Sequence, residues 1–287
     1  MKKGILIITA SILGLSLAVF SQNIQTGSKA FPFAQLNDPK LSIISIIKNP
    51  EGYARLPEDQ LTQYQMWLSN LPLLPQGNRI TDWKGKTIAP PDTISGIVDM
   101  KINSEYITDA DIPVLLLMHY FRLQGYLDKL DIKLSKTLTV NYKDWLRGKF
   151  IDDKEKGLYF RNDGVTRKDS EEEFYAYIDF ITKYMDVKAL RLNVKHTDDR
   201  FLEPSHILIQ FKDDDPDSIG HVAIALDIAY AEQKERKLLY AYGGNPAQSV
   251  IVPNAFRTSD AMWFTRDEIR EYFKEYGMGY FYRWANK

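Results

Sequence analysis

Gly220-His-Val-Ala-Ile-Ala-Leu-Asp-Ile-Ala-Tyr230 is the segment around which the rest of the chain can be organised. Its apolar residues run almost without a break, as in a buried strand, and a histidine opens it. A histidine in that place is what a cysteine hydrolase uses as its base. The chain nevertheless contains no cysteine. Working outward, His206 to Phe211, Leu238 to Tyr242, Ser249 to Val252 and Met278 to Trp284 also read as strands, separated by short connections that suit antiparallel pairing. Ser170 and Glu173 form a capping box ahead of Phe174, Tyr177, Ile178, Ile181 and Tyr184 at helical spacing, and Thr265 with Glu268 starts a second helix that Gly277 ends.

The first half is richer in helix. Leu61, Tyr64, Leu68 and Leu71 share one face of a helix predicted from Pro57 to Asn70, with Pro57 in its first turn and Pro72 as its stop. A longer apolar helix begins between Thr108 and Asp111 and runs to about Tyr126, with Pro113 in the first turn, where a missing N–H does no harm. Val98, Met100 and Ile102 alternate with polar neighbours as a strand does, and a further strand is predicted through Leu138, Val140 and Tyr142. Asp82-Trp-Lys-Gly85 reads as a turn. The fold class expected is α+β with a mostly antiparallel sheet, residues 45–287 forming a single domain.

The amino end reads as an export signal: Lys2-Lys3 precede a mostly apolar stretch from Gly4 to Phe20, and Ser21 follows. Cleavage after Ser21 is expected, the alternative being an uncleaved anchor; cleavage leaves a polar, aperiodic leader over 22–44, no membrane span, and a periplasmic or extracellular protein. A lipoprotein is excluded because lipobox processing requires a cysteine. Without disulfides, stability must come from core burial or bound partners. The composition is 44% hydrophobic and the formal charge is −1, which becomes −3 once Lys2 and Lys3 are removed. Lys and Arg form no long basic block, which argues against nucleic acid as a partner.

Pro50-Glu-Gly-Tyr53, Trp67-Leu-Ser-Asn-Leu-Pro-Leu73, Val98-Asp-Met100, Tyr142-x-x-Trp145-x-x-Gly148, Leu202-Glu-Pro204, Ile209-Gln210, Gly220-His221 and Pro246-Ala-Gln248 follow one another in this order. In that series the chain resembles the exported bacterial domain-of-unknown-function family 4846. The resemblance implies a cysteine at a helix start, a Pro-Gly-Asp before a strand, a Gly-His opening the next strand and a glutamine on the strand after it. That order is similar to the order in papain-like and cell-wall-peptidase folds, and implies papain-like helices packed on the sheet. A thiol at a helix start is stabilised as thiolate by unpaired N–H groups and the helix dipole. Matched in this way, Asp109 stands where the cysteine would be, Pro204-Ser205-His206 replaces Pro-Gly-Asp, Tyr242 replaces the glutamine, and His221 is retained.

Asp109, His221 and Tyr242 are therefore the candidates for a relic site, and Asp109 also suits a plain N-cap. His206, Gln248 and Trp83 are the binding candidates, with Trp83 expected to be exposed in its turn. His206, His221 and Asp109 would make a two-histidine, one-carboxylate metal set, but no local ligand spacing supports it, and no cofactor is expected. Asp213-Asp-Asp-Pro-Asp217 lacks the turn glycine and terminal glutamate of a calcium loop and reads as solvated. The expected activity is a non-catalytic binding or structural role in the cell envelope, a pseudoenzyme taking a cell-wall peptide, a glycan or an envelope protein. The alternatives are a cell-wall hydrolase with a non-thiol nucleophile and a metal-dependent enzyme.

Overall fold

The computed structural model describes residues 41–285 apart from 76, 90–93, 103, 154–156, 162–164, 213–219 and 255–262. The expected signal segment, almost all of the leader, and the acidic run 213–217 lie outside the described residues. The helices are α1 (Ile43–Ile46), α2 (Gln63–Ser69), α3 (Ile112–Leu123), α4 (Tyr142–Leu146), α5 (Glu171–Tyr184), α6 (Val187–Arg191) and α7 (Arg266–Tyr272). A central sheet holds β1 (Ala54–Arg55), β2 (Val194–His196), β3 (Ile207–Phe211), β4 (Val222–Tyr230), β5 (Lys237–Ala241), β6 (Trp263–Phe264) and β7 (Met278–Trp284). Its order is β6-β5-β4-β3-β7-β2, with β1 added beside the end of β4, and every pairing is antiparallel. The architecture is thus α+β.

The unbroken apolar character of β4 follows from cover on both faces of the sheet. Ile207, Ile209, Val222, Ile224 and Leu226 join the large core that includes α3 and α5, whereas Leu208, Ala223, Ala225 and Phe281 join a second core with Ile269 and Phe273 around α7. A strand buried on both sides has no solvent face to make polar, so its alternation disappears. Each fully buried leucine or isoleucine here contributes about 1.5–3 kcal/mol. The one polar interruption, Asp227, sits where the β4–β5 register shifts after Ala225.

Several elements differ from expectation, each because of where a few hydrogen bonds go. Helix α2 starts after Thr62, not at Pro57: Gln65 N–H donates to Thr62 Oγ1 and Thr62 N–H to Gln65 Oε1, and this capping box starts the helix there, leaving Glu58–Gln60 as a separate 3-10 turn. Tyr142 opens α4 and does not end a strand, because Asn141 Oδ1 accepts the Asp144 N–H and caps the helix; only Thr139–Val140 is extended, paired with Ile132–Lys133. The strand expected around Val98 to Ile102 is Ile94–Ile97 and pairs with Ile251–Pro253, outside the main sheet. Beyond it, Val98 N–H goes to Val250 O and Asp99 N–H to Pro72 O, so the backbone is shared between two partners and no ladder continues. By contrast, α5 capped by Ser170, α7 capped by Thr265, and β7 lie where the sequence puts them.

Candidate functional site

Helix α3 is preceded by the 3-10 turn Asp109–Asp111, and this turn abuts the start of β4. Thr108 donates both its N–H and its hydroxyl to Asp111 Oδ2 (2.7 and 2.9 Å). The turn is therefore closed by Thr108 and Asp111, which corrects the N-cap expected of Asp109. Asp109 is left to reach across: its Oδ2 accepts His221 Nδ1 at 2.6 Å and the Val222 N–H at 3.0 Å, while its Oδ1 accepts the Ala110 N–H at 2.9 Å. The expected relic pair is brought together. Asp111, fully buried, is held well above the usual carboxylate range, first by burial, against the two Thr108 hydrogen bonds.

His221 is 5% exposed, and its surroundings are almost entirely rings. Tyr276 stacks on the imidazole (centroids 4.6 Å, planes 23° apart), Phe273 lies at 4.2 Å, and Tyr242 meets it edge-on at 5.0 Å. With Nδ1 given to Asp109, Nε2 is sealed among these rings without a hydrogen-bond partner. Tyr242 is the third expected residue, and it directs its hydroxyl to Tyr272; burial, and then Tyr272, push its phenol above the usual range. It touches His221 with its ring alone.

The ring wall hangs on Gln210. Its Nε2 donates to Phe273 O (2.9 Å) and Gly277 O (3.0 Å), tying the end of α7 and the 3-10 turn Lys274–Tyr276 to the sheet. Gln210 also accepts the opposite strand closely, since a Cβ on Gly220 would lie 1.3 Å from Gln210 O. Only glycine fits before the histidine, which explains the Gly-His pair without invoking a ligand. Phe273, Tyr276 and Gln210's bracing role escaped the sequence reading. The helix and the Gly277 stop were visible, but nothing local says that this helix end folds over His221.

The other candidates fall into two groups. The loop after Tyr242 runs past the site: a Cβ on Gly243 would meet Ile112 Cγ1 at 2.9 Å and Asp109 Cα at 3.7 Å. Further along it, Gln248 bridges to Asp82, and the Trp83 N–H donates to Ala247 O at 3.0 Å. Trp83 is half-buried, packed on the main core, with Lys84 Nζ 4.7 Å above its ring, so its expected exposure is corrected. Asp82 Oδ1 makes the turn by accepting the Lys84 and Lys86 N–H groups.

His206 is elsewhere. It bonds to Ala225 across the β3–β4 ladder, whereas His221 bonds to Gln210. Four residues of strand, about 13 Å, separate the two histidines. His206 Nδ1 accepts the Glu203 N–H at 3.1 Å, and burial lowers its pKa, with Arg283 acting the same way against Glu203. The proposed two-histidine metal set is not assembled, and among the described residues no group of three or more His, Asp or Glu is placed to hold a metal ion. Among them, too, no helix is long and apolar enough to cross a membrane.

Comparison with known proteins gives one match, to the family described as domain of unknown function (4846), over residues 43–277. No match was found among curated proteins or among solved structures.

Proposed function

The chain thus belongs to domain-of-unknown-function family 4846, and from that premise we propose that it is an exported, non-catalytic binding or structural protein of the bacterial cell envelope. In this reading its ancestry is papain-like, and the thiol site has decayed into the Asp109–His221 contact. The observation that carries it is the commitment of Asp109. Oδ2 accepts two hydrogen bonds and Oδ1 one, all from groups of the protein itself. A carboxylate held in this way is a poor nucleophile, and an imidazole whose Nδ1 is taken and whose Nε2 is walled in has no route to a substrate proton. Tyr242 fits the same picture, because a residue that would orient a catalytic imidazole must hydrogen-bond it, and this one bonds Tyr272. The ligand class favoured is a cell-wall peptide or glycan.

The test is incubation of purified protein with peptidoglycan fragments, alongside Asp109→Ala and His221→Ala. Binding without turnover is expected; turnover by the unmodified protein that both variants lose would overturn the reading in favour of a hydrolase using Asp109 and His221. A gain-of-function variant tests the ancestry. Because the chain has no cysteine, Asp109→Cys carries a single thiol, set at a helix start beside an imidazole. It should alkylate with iodoacetamide at pH 6, well below the ordinary thiol pKa of about 8.5. A thiol unreactive until alkaline pH would show that the position never suited a thiolate.

A further inference from the structure

Away from the Asp109–His221 pair, α4, α5 and the segment before the Asp109 turn enclose an open cleft of about 330 Å³. Its apolar walls are Tyr106, Trp145, Phe150 and Phe180, and its polar groups are Arg167, Asp179 and Lys183. That volume is at the small end of ligand sites, which run from about 300 to 1,000 Å³. Trp145 and Phe180 pack at 4.8 Å, and Phe180 stacks with Phe150 at 5.8 Å, so the ring wall is continuous. Tyr106 is the ring that stands out from it, 41% exposed.

The polar side of the cleft is rigid and balanced in charge. Arg167 lies over the Trp145 ring at 4.1 Å, its Nη1 donates to Trp145 O at 2.6 Å, and its Nε is 3.2 Å from Glu173 Oε1, which also accepts the indole N–H of Trp145. Glu173 thus answers the charge of Arg167. Asp179 is fixed by the Ser104 hydroxyl on its Oδ1, and it stands one helical turn from Lys183 on α5. With Glu173 behind the lining paired to Arg167, the charges of Arg167, Lys183, Asp179 and Glu173 cancel. An ionic ligand would gain little from such a lining. A polyhydroxyl ring suits it, because each hydroxyl both donates and accepts while the C–H face of the sugar rests on aromatic carbon.

We propose that this cleft is a carbohydrate-binding site, taking a sugar ring against Tyr106, over the edges of Trp145 and Phe180, with hydroxyls bridging Asp179 to Lys183 and Arg167. The proposal rests on the reading of the protein as a binder and places its binding surface apart from the Asp109–His221 pair. The experiment is binding of the purified protein to an array of neutral, N-acetylated and uronic oligosaccharides. Tyr106→Ala, Asp179→Asn and His221→Ala are run beside it, each confirmed as folded by circular dichroism at the assay temperature. Binding to neutral or N-acetylated sugars is expected, about fivefold weaker in Tyr106→Ala from the loss of one aromatic contact, weakened in Asp179→Asn and unchanged in His221→Ala. Absence of binding to every sugar, selectivity for the uronic class alone, or binding that only His221→Ala abolishes would each overturn the site. Hydrolysis of a bound sugar that Asp109→Ala abolishes, with binding still dependent on Tyr106, would instead sink the non-catalytic reading and leave the cleft standing.

Discussion

Strand β4 carries a buried carboxylate pair at each end, and the two are built differently. Near its end, Asp227 Oδ2 accepts Arg55 Nε at 2.5 Å, and its Oδ1 accepts the Ser69 hydroxyl and the Ile228 N–H. Arg55 spends its remaining donors on Asn49 Oδ1 and Ile47 O, and its guanidinium lies under the Trp263 ring. Every polar atom of this pair has a partner, and together they clamp residues 47–55 and α2 to the sheet. At the start of the strand, the Asp109–His221 pair leaves Nε2 without a partner beneath removable rings. A purely structural pair tends toward saturation, because an unmet buried polar group costs stability. Asp111 Oδ1 and Gln210 Oε1, beside the pair, lack partners as well, so the polar groups around the start of the strand are less fully paired than those around Asp227.

The largest expected effect breaks the saturated end. Asp227→Ala strands the Arg55 charge and should cost about 3–5 kcal/mol, read as a lowered urea midpoint with unchanged slope. At the other end, Asp109→Ala orphans the Val222 N–H and takes the partner from His221 Nδ1, for a loss of about 2 kcal/mol. If Asp109→Ala proved as costly as Asp227→Ala, the contrast between the two ends would collapse.

A second buried histidine sharpens the comparison through pH. His119, on α3 against the Phe174 ring, is pushed down to about 3 by burial alone. The unfolded chain binds a proton near pH 6.5 and the folded chain does not until about pH 3, so this stability is complete above 6.5 and is lost as pH falls through that window. The slope is about 1.4 kcal/mol per pH unit. In His119→Leu the difference in unfolding free energy between pH 7.5 and pH 5, from urea titrations, should shrink by about 2 kcal/mol, one and a half pH units at that slope; an undiminished difference would assign the acid sensitivity to other groups. The smallest effect on stability and the clearest on access comes from Tyr276→Ala. It removes the stacked ring, and His221 should then be carbethoxylated by diethylpyrocarbonate, while in the unmodified protein it stays protected. Equal labelling in both would mean that the wall already opens.

Helices α5 and α7 and strands β3, β4, β5 and β7 were all visible in the sequence, since capping boxes and hydrophobic period are local signals. Asp109, His221 and Tyr242 could be named before any geometry, through the order of motifs. Tyr142 misled, because alternating Leu138, Val140 and Tyr142 look extended and the deciding bond is a single Asn141 cap. His206 misled for a different reason: strand membership was right, but register alone sets it four residues from His221.

The sequence by itself determined that the chain lacks a thiol, that a Gly-His pair opens an apolar strand, and that an aspartate stands near a helix start. These are matters of composition and of short-range pattern. Only the tertiary structure decided what that aspartate does. Thr108 and Asp111 close the turn between themselves, α7 and its following turn fold Phe273 and Tyr276 over the imidazole, and Gln210 ties them there. Those contacts join residues up to 67 positions apart, and the Asp109–Val222 bond joins residues 113 apart; no local propensity encodes which buried groups will meet across a sheet.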